Sequence, residues 1–181
     1  MKFSELMKTR QSERQDQRRP VARDLLDKLV EAVRLAPSAS NSQPWKLIVV
    51  DDEKLVRQVA QATFSGTVAF NRFALEAPVI AVLVTEKPGL ITQVGAWLKK
   101  RPFYLIDIGI AAAHFCLQAA ELGLGTCMLG WFDEKRIKGL LGIPAGRRVG
   151  LLITLGYAAE GSPLREKTRK DAGLMSSFNS Y

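Results

Sequence analysis

Residues 36–45, Ala-Pro-Ser-Ala-Ser-Asn-Ser-Gln-Pro-Trp, hold an unusual density of groups able to bind a ligand. Pro37 and Pro44 limit the backbone to few conformations. Ser38, Ser40, Ser42 and Asn41 offer short hydrogen-bonding groups, and Gln43 adds a donor and an acceptor ahead of a large planar aromatic. Such a loop can hold a flat heterocycle. Any one of these residues is more often a helix cap, a turn former or, for Trp45, a core side chain; it is their concentration that favours a site.

Two basic groups add a second chemistry. Arg10 and Arg14 stand four residues apart with the Ser12 hydroxyl between them, an arrangement able to grip a phosphate by charge-assisted hydrogen bonds. Lys167-Thr168-Arg169 offers a second grip near the other end of the chain. Each cluster alone is more often solvated surface, and only together with the Ser/Asn loop do they describe a phosphate-bearing, flat ligand.

A side-chain catalyst is harder to find. His114 is the only histidine and falls within an apolar helical pattern, where a structural or interface role is the commoner one. Cys127 has no recognisable activating partner, and no Ser-His-Asp set can be assembled. Gly123-Leu124-Gly125 invites a dinucleotide fingerprint, but here a helix precedes the first glycine and a strand follows, the reverse of the required order. No Walker loop or Gly-x-Ser-x-Gly elbow is present. A shaped polar loop without acid, base or nucleophile points to chemistry carried by a cofactor that the protein positions.

The elements that must position these groups are mostly legible. Apolar residues at helical spacing predict a helix over 20–36, with Pro20 at its first position. Strands are expected at 46–50, 78–85, 126–129 and 148–155. Asp51 or Asp52 caps a helix to about Ala62, a second helical piece runs toward Leu75, and Asp133 caps a helix to about Leu141. A short helix is expected over 93–100. The strongest helix covers 103–122 and ends at Gly123; its polar side chains after Tyr104 are Asp107, His114, Gln118 and Glu121, forming one narrow stripe, so the rest must be buried. No helix pattern follows Tyr157.

At 181 residues the chain fits one domain, able to hide about 70% of its unfolded surface without metal or disulfide. The expected fold is α+β, a mixed sheet flanked by helices, with the long apolar helix covered by a second copy. Cys116 and Cys127 form no redox or metal pattern and read as reduced structural thiols. The amino terminus carries Glu5 and lacks a long apolar stretch, unlike a secretory signal, which gives a cytoplasmic expectation. The net charge of +8 gathers at the two ends, and with no RNA-binding platform or zinc finger it supports a nucleic-acid role only by charge.

In this order the motifs resemble the nitroreductase family of flavin-dependent oxidoreductases over nearly the whole chain. The residues are Arg10-x-Ser12-x-Arg14, the Pro37-Ser38-x-x-Asn41-x-Gln43-Pro44-Trp45 block, Asp-Ile-Gly-Ile-Ala from Asp107, and Leu-Gly-Leu-Gly-Thr from Leu122. Gly130-Trp131-Phe132-Asp133, Leu155-Gly156-Tyr157 and Lys167-x-Arg169 follow. The resemblance implies a homodimer with two interfacial FMN sites, each built from both chains, using NADH or NADPH as donor and a nitroaromatic, quinone or similar small acceptor. It assigns Arg10, Ser12, Arg14, Lys167 and Arg169 to the ribityl phosphate and Pro37, Ser38 and Asn41 to the flavin. The backbone at Leu129 and Gly130 is assigned to flavin N5, with no metal and no catalytic side chain. It also implies that the tail from about residue 157 wraps the partner. Gln11 stands where the family commonly has a second arginine, and the chain is shorter than members that carry inserted helices over the flavin. Other flavin-using enzymes of the same fold (a dehydrogenase, dehalogenase or flavin-fragmenting enzyme) and a non-catalytic flavin or polyanion binder are the alternatives.

Overall fold

The computed structural model describes residues 2–87, 89, 98 and 100–181. In chain order the elements are α1 (Phe3–Thr9), β1 (Asp16–Gln17), α2 (Arg23–Arg34), β2 (Trp45–Val50), α3 (Glu53–Gln61), β3 (Val79–Thr85), α4 (Phe103–Glu121), β4 (Gly125–Leu129), α5 (Glu134–Leu141), β5 (Arg148–Ala158) and α6 (Ala172–Met175). The helix expected over 93–100 lies largely outside the described residues. Helix α2 starts at Arg23 and not at Pro20, because Ala22 is extended and serves as the N-cap. Helix α1, strand β1 and the one-turn α6 are too short or too polar to leave a periodic signature.

Strand β5 is the spine of the sheet. It pairs antiparallel with β3 on one edge and with β4 on the other, and its last residues pair with β1, while β2 lies outside β3. The α+β class holds, but the ladders between named strands are all antiparallel. The parallel part of the expected mixed sheet is a single bridge, Ser12 to Thr126.

Alternation along β3 divides the core in two. Val79, Ala81 and Leu83 face Leu26, Leu29, Phe115 and Ile153 under α2 and α4. Ile80, Val82 and Val84 face Val59, Ile137 and Leu152 under α3 and α5. Each fully buried Leu, Ile or Val contributes about 1.5–3 kcal/mol, so the three-layer sandwich is rigid where the site hangs from it. Asp52 and Asp133 cap α3 and α5 as expected, accepting from Leu55 N at 2.8 Å and Arg136 N at 3.0 Å. Gly123 ends α4 with φ +75°.

Helix α4 is apolar on more than one side. Ile108, Ala111, Ala112, Phe115, Cys116 and Ala119 are buried against the sheet, yet Leu105 and Ile106 are 52% and 58% exposed. Asp107 departs from the expected outward stripe. It is buried, because its Oδ1 accepts the Ala39 N–H at 3.0 Å and so pins the Ser/Asn loop to the helix.

Candidate functional site

Tight local chemistry shapes the Ser/Asn loop. Ser40, Asn41 and Gln43 all have positive φ (51°, 50° and 44°), a conformation that L side chains adopt at a cost and that short polar side chains tolerate best. The hydrogen bonds that hold it are internal: Ser38 Oγ accepts from Gln43 N at 2.9 Å, and Asn41 Oδ1 accepts from Gln43 Nε2 at 3.0 Å. With Asp107 beneath Ala39, the loop is fixed with Pro37 and Asn41 exposed and Ser38 half-buried.

The basic residues separate into two groups. Arg10 closes α1, its N–H bonded to Leu6 O, and lines a cavity of about 140 Å³ with Gln11, Glu13, Gly125 and Thr126. Lys167 from the tail lies within electrostatic reach of Arg10. Its Nζ is inaccessible and has no hydrogen-bond partner, the one buried cation left so among the described residues. Desolvation lowers the Lys167 pKa, and the positive charges of Arg10, Arg169 and Arg165 lower it further. Such crowding of like charges around a desolvated amine is unfavourable unless an anion completes it.

Arg14 is exposed, with its guanidinium 5.9 Å from the Phe73 ring centroid, and lines a cavity of about 440 Å³ with Gln11, Glu13 and Arg165. Ser12 is bridged to Thr126, and its hydroxyl lies within reach of the Cys127 thiol. Burial pushes up both thiols; Thr126 and Arg10 oppose it at Cys116, and Arg14 and Ser12 at Cys127, leaving two inert structural groups. His114 Nδ1 pairs with Ile110 O at 2.9 Å, one turn back in the same helix, which fits a structural role.

Three residues that sequence reasoning passed over belong here. Arg165 contributes positive charge at Lys167. Glu13 and Asp16 are both buried beside Gly125, and a Cβ added to Gly125 would stand 2.8 Å from Glu13 Cβ. Burial, with the charges of Glu13 and Glu76, pushes Asp16 up to about 7. A charged pair in an interior position is invisible to hydropathy patterns.

At the other end of β4, Leu129 is buried and Gly130 exposed; a Cβ on Gly130 would meet nothing within 4 Å. Its backbone is open to a flat group. Gly130 also borders a cavity of about 450 Å³ with Tyr104, Leu105, Glu134 and Arg148. There burial works to raise Glu134, but hydrogen bonds from Arg148, Val149 N–H and Lys138 prevail and hold it at about 2.

The Ser/Asn loop leads into β2 and Gly130 leaves β4, and these strands are separated by β3 and β5. Three strand spacings amount to roughly 14 Å.

Residues 7–157 match the pattern of the nitroreductase family. The chain is 31% identical, over 92% of its length and 82% of the relative's, to a Methanothermobacter thermautotrophicus protein with a provisional NADH dehydrogenase/NAD(P)H nitroreductase name. A nitroreductase family protein from Clostridium novyi NT superposes with a TM-score of 0.75 at 33% identity, covering 92% of this chain and 89% of that one. An FMN-dependent nitroreductase from Clostridium difficile R20291 does so with a TM-score of 0.76 at 28% identity, over 97% and 98% of the two chains. With the family pattern spanning most of the chain and the fold shared throughout, this protein belongs to the nitroreductase family.

Proposed function

We propose that the protein is an FMN-dependent NAD(P)H oxidoreductase that reduces a nitroaromatic, quinone or similar small acceptor, and that it works as a cytoplasmic homodimer. One observation carries the reading: Lys167 Nζ, desolvated and unpartnered, sits among Arg10, Arg165 and Arg169. A phosphate dianion is the group that would satisfy such a cluster, and a ribityl phosphate fits the small cavity beside Arg10. The chemistry FMN supplies when bound is hydride acceptance from the nicotinamide and electron delivery to the acceptor.

The residues of the chain would bind and orient. Arg10, Lys167 and Arg169 neutralise the phosphate, with Ser12 beside them. Gly130 offers an open backbone to the ring edge at N5, next to Leu129. Pro37, Ser38 and Asn41, three strands away, would line the ring bound chiefly by the other copy. The exposed Leu105 and Ile106 of α4 support that pairing, as do Leu174, Met175 and Phe178 of the tail, which have no cover in one chain.

Purified protein should be yellow and carry about one FMN per chain, and NAD(P)H should bleach it in stopped flow. A colourless protein that takes up no FMN on reconstitution would sink the proposal. A folded, flavin-loaded monomer in sedimentation would refute the composite site.

A further inference from the structure

The tail reaches the cationic cluster through one particular side chain. Gln11 uses both ends of its amide on it: Nε2 donates to Pro163 O at 3.1 Å, and Oε1 accepts from Arg165 N at 3.0 Å and Arg165 Nε at 3.4 Å. The Arg165 Nη2 group donates to Ser12 O. Gln11 is itself steadied by a 3.1 Å bond from Nε2 to Glu13 Oε2, and Glu13 accepts Arg14 N at 2.9 Å. A buried carboxylate thus holds the amide, the amide holds the tail, and the tail brings a guanidinium to the Ser12 carbonyl, two residues from Arg10.

We infer that Gln11 and Arg165 form a latch that sets the position of the tail and makes the site selective for phosphorylated over unphosphorylated flavin. The inference rests on the phosphate reading above. Arg165 is a positioned cation whose Nη1 shows no partner among the described residues, and its charge already acts on Lys167. Gln11 is a positioning residue: neutral itself, it fixes the backbone at 163 and 165, four and two residues ahead of Lys167. An arginine at position 11 would supply a charge directly. A glutamine supplies one through the tail, so phosphate binding and tail docking become coupled.

Titrations of FMN and riboflavin at several salt concentrations, read by quenching of flavin fluorescence, test this. Arg165→Ala should weaken FMN about tenfold, leave riboflavin affinity unchanged and flatten the salt dependence of FMN binding. Arg165→Lys should recover part of the loss. Gln11→Leu should weaken FMN about threefold to fivefold with riboflavin unchanged, and Gln11→Arg combined with Arg165→Ala should restore FMN affinity. Equal losses of FMN and riboflavin would make the latch a structural anchor only and overturn the inference. So would unchanged FMN affinity in Arg165→Ala while Arg10→Ala and Lys167→Met weaken it, an outcome that leaves the phosphate site standing. If Arg10→Ala and Lys167→Met also fail to separate FMN from riboflavin, the phosphate reading itself falls.

Discussion

Glu134 accepts Arg148 Nε at 2.9 and 3.0 Å and Val149 N at 2.9 Å, and its carboxylate stands 3.1 Å from Lys138 Nζ, whereas Lys167 Nζ has no partner among the described residues. Glu134 lines the cavity near Gly130, and Lys167 lies within electrostatic reach of Arg10. At Glu134 one acidic charge meets two cations and a backbone N–H. Around Lys167 three arginines add positive charge, and the Lys167 Nζ itself meets no acceptor among the described residues. A fold stabilises itself with the first arrangement and has no use for the second, so the second is the place where a ligand's charge belongs.

Opposite signs of mutational effect would sharpen that contrast most. Glu134→Ala removes an acceptor from Arg148, Lys138 and Val149 together and should cost about 2–3 kcal/mol in urea unfolding of the flavin-free protein. Lys167→Met removes an uncompensated cation and should raise the unfolding midpoint of the same flavin-free protein while weakening FMN about tenfold or more. If Lys167→Met destabilises the flavin-free chain, the cluster already has its counter-charge and the contrast breaks.

The two regions were not equally legible in sequence. Capping by Asp52 and Asp133, the stop at Gly123 and the four main strands follow from local rules, and the structure has them. The pairing of Arg10 with Lys167 across more than 150 residues does not, because nothing local brings a tail to a helix end; only the family resemblance joined them. Arg14 adds to this. Its spacing from Arg10 reads as a common grip, and the chain, extended after α1, carries it over Phe73 to a cavity of about 440 Å³ that Gln11 and Arg165 of the tail also line. Asp107 was misplaced because periodicity puts polar residues outside, and it cannot register a loop N–H that needs an acceptor within the core.

A third charge tests whether an unpaired interior group is always there for a ligand. Asp16 Oδ1 is buried without a partner beside Glu13, and its pKa is raised to about 7. The folded state therefore holds the proton more firmly than the unfolded chain. Stability should fall as pH rises from about 4 to about 7 and level off above, since only the unfolded carboxyl ionises freely in that window. Asp16→Asn should stabilise the protein by about 1–2.5 kcal/mol at pH 8 and change little at pH 4. Flat stability across that range would place a hidden cation next to Asp16.

Backbone strain gives a smaller effect of the same kind. Asn41 at φ 50° is tolerable for a short polar side chain; Asn41→Val should cost about 1–2 kcal/mol and also loosen the flavin, because the loop holds its shape through the Gln43 bond. Chemical denaturation with and without FMN separates the two losses. A valine variant as stable as the parent would mean that the loop relaxes freely and is not a preformed wall.

The smallest effect expected is at His114, and it decides the mechanism. His114 belongs with Glu134 among the satisfied groups: its Nδ1 is bonded to Ile110 O, and it is half-buried in α4, further along the helix than Tyr104 and Leu105, which border the Gly130 cavity. Glutamine can make the same bond to the helix backbone, so His114→Gln should fold, dimerise and bind FMN as before. Removal of a general acid or base costs about 10²–10⁴-fold, whereas a side chain that only packs should change stopped-flow flavin reduction by NADH or NADPH less than about threefold. Hydride transfer to a flavin depends on stacking and alignment, which the loop and the Gly130 backbone would supply, so a loss in the larger range with FMN binding intact would show that α4 carries a proton-transfer role and that alignment alone does not account for the reaction.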